Sequence, residues 1–290
     1  MPISKVGWRA YYELCKPRVV MLMIVTSLVG MFLAVPAWVP WRPLIIGNLG
    51  IALAAAAAAV VNHYVDQRID ALMGRTQFRP LPTGRVTPKR ALFFAAVMAS
   101  VSMIMLSVWV NVLTAVLTFL TLIAYAGIYS LYLKRATPQN IVIGGAAGAA
   151  PPLLGWTAVT NHIDPQGLLL VLIIFVWTPP HFWALAIQRY KEYARAEIPM
   201  LPVTHGIVFT KKCIVLYTWL LAAVTTLPFV IGMSGYLYFF SIIPLNALFI
   251  YRAIQLMRHD NDHVLGGRLF RFSITYLFLV FIVLLIDHFL

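Results

Sequence analysis

Long apolar runs alternate with short polar segments along the whole chain. Nine runs reach or approach the roughly 20 residues that cross a bilayer as a helix. They fall at about 19–38, 44–63, 91–110, 112–132, 140–159, 168–186, 213–233, 236–251 and 270–287. Stretches such as Leu168–Trp177 and Ala54–Ala59 show no period-two alternation, so the short alternating strands of a membrane β-barrel are excluded. The pattern predicts an all-α polytopic membrane protein. It would have nine transmembrane helices around a central cavity, in a single domain over residues 1–290. Two longer polar loops interrupt it, at about 64–90 and 187–212.

Composition strengthens this reading. Of 290 residues, 61% are hydrophobic and 11% charged, against about 45–50% and 25% in soluble domains. Disorder is excluded by the same excess. The first apolar run follows Lys16 and Arg18 and ends at Ala34-Val35-Pro36-Ala37. It is longer than a signal-peptide core and reads as an uncleaved first span. Cys15 and Cys213 stand in no metal-type spacing and read as reduced structural residues.

The formal net charge of +13 would suggest nucleic acid on a soluble protein. Here 21 of the 22 basic residues fall on one side of the nine-span arrangement, and Arg42 alone on the other. The positive-inside rule then places the N-terminus in the cytoplasm. The basic surface reads as a topology signal that also meets anionic lipid, and no nucleic-acid partner is expected.

Acidic residues are scarce: nine in all, four of them in the two long loops. The loops follow the second and sixth spans, a recurrence that hints at two four-helix halves plus a final helix. The first loop opens Asn62-His63-Tyr64-Val65-Asp66-Gln67-Arg68-Ile69-Asp70. If the second helix continues, Asn62, Asp66 and Asp70 share one face. Two carboxylates and an amide oxygen suit Mg²⁺, which is completed by waters and substrate phosphate oxygens. Acids near a helix C-terminus oppose the macrodipole, so they are poor candidates for helix stabilisers. The plain alternative is a solvated face paired with Arg68 and Arg75.

Gly74 to Arg85 follows, rich in Pro and Gly and therefore a defined loop. It carries Arg75 and Arg79, whose guanidinium forks suit phosphate oxygens. Lys134 and Arg135 add cations on the same predicted side. Each alone reads equally as a positive-inside residue; acids for a metal beside cations for phosphate point to a diphosphate. No P-loop and no dinucleotide fingerprint is present. In the second loop Glu192 would hold a second metal or orient a cation, or else belong to an ordinary charged loop. Just before it lies Trp177-Thr178-Pro179-Pro180-His181-Phe182-Trp183. An ionisable side chain at membrane depth is a functional candidate. His181 is suited to ligating a haem iron or handling a proton, with a hydrogen-bonded core histidine as the alternative. The small residues from Gly144 to Ala150 allow close helix packing or room for a flat ligand.

Asn62-x-x-x-Asp66-x-x-x-Asp70 resembles the first motif of the intramembrane aromatic prenyltransferases. Further blocks resemble the haem O synthase (protohaem IX farnesyltransferase) branch. These are Arg75-Thr76-x-x-Arg79-Pro80-Leu81-x-x-Gly84, Leu133-Lys134-Arg135-x-Thr137-Pro138-x-Asn140-Ile141, Gly148-Ala149-x-Pro151-Pro152-Leu153-x-Gly155-Trp156, Trp177 to Ala186, and Ile198-Pro199-Met200-Leu201-Pro202. The proline-proline-histidine block selects the branch. Two departures stand out. The second motif, usually D-x-x-x-D, is here Glu192 and Glu197. The first motif reads Asp-Gln-Arg-Ile-Asp in place of Asp-Arg-Asp-Ile-Asp.

The resemblance implies transfer of farnesyl from farnesyl diphosphate to a vinyl group of protohaem IX (haem B) with addition of water, giving haem O. It implies Asn62, Asp66 and Asp70, with Glu192, as holders of Mg²⁺. It implies Arg75, Arg79, Lys134 and Arg135 on the diphosphate, and His181 and Trp183 toward haem, which is a substrate rather than a cofactor. The setting would be a bacterial inner membrane with the motif loops cytoplasmic, and a haem-modifying enzyme or terminal oxidase would take the product onward. Competing readings are a prenyltransferase for a quinone precursor or other aromatic acceptor, a transporter of a phosphorylated lipid-like substrate, and a structural subunit of a respiratory complex.

Overall fold

The computed structural model describes residues 7–74, 76–260 and 262–290. Among them all regular structure is helical. In chain order the elements are α1 (Trp8–Leu14), α2 (Pro17–Leu33), α3 (Arg42–Leu72), α4 (Pro88–Trp109), α5 (Val112–Ala136), α6 (Asn140–Thr160), α7 (Pro165–Gln188), α8 (Tyr190–Arg195), α9 (Leu201–Thr204), α10 (Ile207–Val230), α11 (Tyr236–Arg258) and α12 (Asp262–His288). Among the described residues eight single helices are long and apolar enough to cross a membrane. The pair α1 and α2, bent by 52°, makes a ninth if counted as one span. The nine-run expectation therefore holds, with the first span broken. The break is at Lys16, whose backbone is left-handed (φ 49°). Pro17 begins α2, and its ring disfavours the right-handed helical conformation for the residue before it.

The chain forms two compact units. One comprises residues 1–133 and 150–163; the other, residues 134–149 and 164–290. In the first, Leu14, Val60, Leu81, Val86 and Ala91 are buried in one core cluster and Met31, Ile51, Leu106 and Leu154 in another. Backbones approach closely wherever the side chain is absent. A Cβ on Gly30 would stand 2.1 Å from the Pro152 carbonyl oxygen, and one on Gly155 would stand 2.1 Å from that of Ser27. This reciprocal small-residue crossing is how membrane helices gain dispersion contact where lipid offers no hydrophobic drive. Ser102 Oγ donates to the Gly50 carbonyl at 2.6 Å, locking α4 on α3.

In the second unit α7 is the most deeply set of the spans, with 67% of its apolar window buried. Its Thr178 meets Gly145. A Cβ on Gly266 of α12 would lie 2.8 Å from the Ala184 carbonyl oxygen. A buried polar chain crosses α10, α11 and α12. Tyr276 donates to Asn246 at 2.6 Å, Asn246 to Thr225 at 3.1 Å, and Tyr238 to the Thr225 carbonyl at 2.7 Å. Each member thus finds the partner that a buried polar group requires. Asp287 caps α11, accepting from the Gly235 amide at 2.6 Å and the Tyr238 amide at 3.0 Å. Outward faces carry Phe93, Val116, Leu216 and Phe240, all exposed, as membrane-facing surfaces do.

The two motif loops are shorter than expected. Helix α3 continues to Leu72, so Asn62, Asp66 and Asp70 lie inside it and the first loop is only 73–87. The second is broken up by α8 and α9, and α10 already starts at Ile207. Lys211 and Lys212 are therefore helical. Lys211 is buried, donates to the His259 carbonyl at 2.9 Å and pairs with Asp262.

Candidate active site

Three successive turns of α3 bring Asn62, Asp66 and Asp70 to one face, and all three are buried, at 4%, 3% and 3% exposure. The expectation that they share a face is met. Burial without partners would be prohibitive for two carboxylates, and the chain supplies the partners. Arg79 reaches back from the loop, its Nη1 donating to both oxygens of Asp70 at 2.8 and 2.7 Å. Asn62 Nδ2 donates to Asp66 Oδ2 at 3.0 Å and to Ser130 Oγ at 3.1 Å. Lys16 Nζ donates to Asn62 Oδ1 at 2.5 Å. His63 Nδ1 stands 3.9 Å from Asp70 Oδ2.

Local structure explains how the cations arrive. The loop folds back because Thr76 Oγ1 donates to the Asp70 carbonyl at 2.9 Å, while Leu81 and Val86 bury their side chains. Gly84 turns at φ +71°, a conformation glycine adopts at no steric cost. Arg85 fastens the loop further, donating to the Phe78 carbonyl at 2.6 Å and pairing with Glu13 at 3.1 Å. Lys16 reaches Asn62 from the broken junction of α1 and α2. Ser130 lies in a π-helical stretch of α5, Ile123–Leu133. There its Oγ donates to the Tyr125 carbonyl five residues back, at 2.9 Å. Such stretches recur at functional sites.

Lys16 and Ser130 were not among the residues singled out from the sequence as site candidates. Lys16 counted only as a topology charge. The signal available was its place directly before a proline at the head of a span.

The remaining candidates are distributed as follows. Arg75 lies outside the described residues. Lys134 is half-buried and Arg135 exposed at the end of α5. Glu192 sits on α8 and accepts from Arg189 Nη1 at 2.9 Å, one turn away. Among the described residues no three His, Cys, Asp or Glu side chains gather as a metal-type cluster. The oxygen donors on α3 are two carboxylates and an amide, which is the chemistry of a hard cation that keeps other ligands of its own. Trp183 is 2% exposed and packs edge-on against Tyr217, ring centroids 5.3 Å apart.

His181 has a different setting. It is 7% exposed, stacks on Trp177 (4.2 Å, 20°) and on Phe270 (4.5 Å, 26°), and forms a T-shaped pair with Phe182, centroids 4.9 Å apart. Its Nδ1 is 2.7 Å from Ser273 Oγ. Trp177, one turn before, is the tryptophan stacked on it.

Membrane-length helices thus carry, at the end of one of them, a buried Asn–Asp–Asp face with Arg79 on Asp70. The chain belongs to the UbiA prenyltransferase family, whose model matches residues 23–285. It is 58% identical to protoheme IX farnesyltransferase 2 of Pseudoalteromonas atlantica over 286 residues, covering 99% of this chain and 93% of that one. It is 60% identical to protoheme IX farnesyltransferase of Legionella pneumophila over 284 residues, covering 98% and 96%. Two solved structures share the fold. A digeranylgeranylglyceryl phosphate synthase has a TM-score of 0.82 at 16% identity, over 97% of this chain and 98% of that one. A UbiA homolog from Archaeoglobus fulgidus bound to DMAPP and Mg²⁺ has a TM-score of 0.66 at 16% identity, over 94% and 98%.

Proposed function

We infer that the chain transfers the farnesyl group of farnesyl diphosphate to a vinyl group of protohaem IX, with addition of water, to give haem O. The observation that carries this is the α3 face: Asn62, Asp66 and Asp70 buried together, with Arg79 Nη1 on both oxygens of Asp70. The relatives' shared name selects the acceptor, and the proline-proline-histidine block supports it.

Asp66, Asp70 and Asn62 supply oxygen donors for Mg²⁺, which would screen the diphosphate charge and stabilise it as a leaving group. Arg79 and Lys16 hold donors within reach of the same anion, and charge-assisted bonds of this kind are the strong ones. Arg75, Lys134 and Arg135 are assigned to the diphosphate on their motifs alone. As the allylic C–O bond breaks, its electron pair leaves with diphosphate. The vinyl carbon forms the new C–C bond, and water captures the remaining cation with loss of a proton. Aromatic faces such as Tyr129, Tyr132 or Trp183 suit the allylic cation. The apolar surroundings delay its quenching by bulk water. Glu192 is assigned to orienting Arg189, to which one of its oxygens is bonded, or to a second metal through the other. His181 is assigned to the haem. The N-terminus and the motif loops face the cytoplasm of a bacterial inner membrane, and haem O passes to a haem-modifying enzyme or a terminal oxidase.

The test uses purified protein in detergent with Mg²⁺, protohaem and farnesyl diphosphate. Mass spectrometry should find haem carrying farnesyl plus water, and EDTA should abolish it. Folded protein that binds neither substrate would overturn the reading in favour of a transporter.

A further inference from the structure

His181 and Ser273 carry an inference that the reaction itself does not require. Ser273 is fully buried on α12. Its hydroxyl has a single proton, and that proton has a fixed destination: Ser273 Oγ donates to the Phe270 carbonyl, one turn back, at 2.7 Å. Towards His181 Nδ1, also at 2.7 Å, the hydroxyl oxygen therefore offers only a lone pair. Nδ1 must carry the ring's proton and donate it. In a neutral imidazole the other nitrogen, Nε2, is then the one with a free lone pair.

The rest of the surroundings hold this arrangement in place. Two rings stacked at 4.2 and 4.5 Å cannot share one face of an imidazole, so Trp177 and Phe270 cover both faces. Trp177 Nε1 donates to the Ser273 carbonyl at 2.8 Å, tying the same serine to α7 a second time. The ring can neither tilt nor turn over without breaking these contacts. With both faces covered and Nδ1 engaged by Ser273, the Nε2 side of the ring is the part these contacts leave open.

We propose that Ser273 is a positioning residue that fixes His181 in its Nδ1–H tautomer, so that Nε2 presents a lone pair to the iron of the haem substrate. A ligating histidine is commonly set in this way, its second nitrogen donating to an oxygen, and loss of that partner lowers metal affinity about 10- to 100-fold. The proposal rests on the reading that haem is the acceptor, and it concerns iron rather than the porphyrin plane.

The experiment measures binding of protohaem IX and of iron-free protoporphyrin IX to the full-length protein in detergent micelles. Wild type, Ser273→Ala, Ser273→Cys and His181→Ala are compared. For Ser273→Ala we expect about 10- to 100-fold weaker haem binding, a changed Soret band and an altered ferrous iron–histidine stretch. Affinity for iron-free porphyrin should stay unchanged. Ser273→Cys keeps the shape but is a weaker acceptor, and should fall between. If Ser273→Ala weakens both porphyrins equally, or neither, the positioning role is overturned. If Ser273→Ala does not fold, Ser273→Cys decides alone by the same comparison. If His181→Ala leaves haem affinity and Soret band unchanged, His181 does not meet the haem, whatever Ser273 does.

Discussion

The α3 cluster and the His181 nest solve the problem of a buried polar group in opposite ways. On α3 charge is met with charge, and Arg79 and Lys16 come from a loop and a helix junction. Around His181 the contacting side chains are uncharged: Trp177, Phe182, Phe270 and Ser273. The ring is closed in by aromatic stacking and one serine, supplied by helices α7 and α12. Salt-bridged clusters of this kind are expensive to bury and strongly destabilised when one member is lost. A neutral hydrogen-bonded nest costs less and holds one geometry. On the proposed function, the difference would separate a site that takes up ions from one that holds an orientation.

Removing the acid side should separate the two regions most sharply. Asp66→Ala, or EDTA on the wild type, is expected to lower turnover by about 10³-fold or more while haem binding persists. Product formation at the wild-type rate in Asp66→Ala would erase the distinction. Arg79→Ala should cost about 10- to 100-fold in kcat/KM for farnesyl diphosphate, the value of a charge-assisted hydrogen bond. Equal losses with farnesyl diphosphate and in haem affinity would argue against a diphosphate role. Gly155→Val attacks neither region directly. Its Cβ would collide with the Ser27 carbonyl, and overpacking of this kind costs about 1–3 kcal/mol. The expected result is a lowered Tm in detergent, with activity falling only as folded protein is lost. Smallest is Asp287→Ala, which removes the cap from the α11 amides. A loss of about 1 kcal/mol should appear in thermal melts, with turnover per folded molecule unchanged.

Much of this was legible in the chain. Span positions follow from apolar runs that any bilayer would select, and the i, i+4 spacing of Asn62, Asp66 and Asp70 puts them on one face of any helix that runs through them. The partners were not legible. Lys16 reaches Asn62 across 46 positions and Ser130 reaches it across 68. Ser273 meets His181 across 92. No local pattern marks one serine in an apolar helix as a hydrogen-bond acceptor, and a lysine before a span looks like any topology charge. The extent of α3 beyond its apolar run was also hidden. Its last turns are polar and survive because Asp70, Thr76 and Arg79 tie them down.

The grip of Arg79 on Asp70, with Lys16 one amide away from Asp66, has a consequence for the order of events at this site. Asp70 already holds the Arg79 guanidinium, and Lys16 stands beside the same face on Asn62. If this face holds the metal as proposed, a divalent ion alone would have to compete with that arginine for Asp70. An ion bound together with a diphosphate would instead offer the arginine a new anion to hold. On that reading the metal and the leaving group would be held more readily as one parcel than either would be by itself.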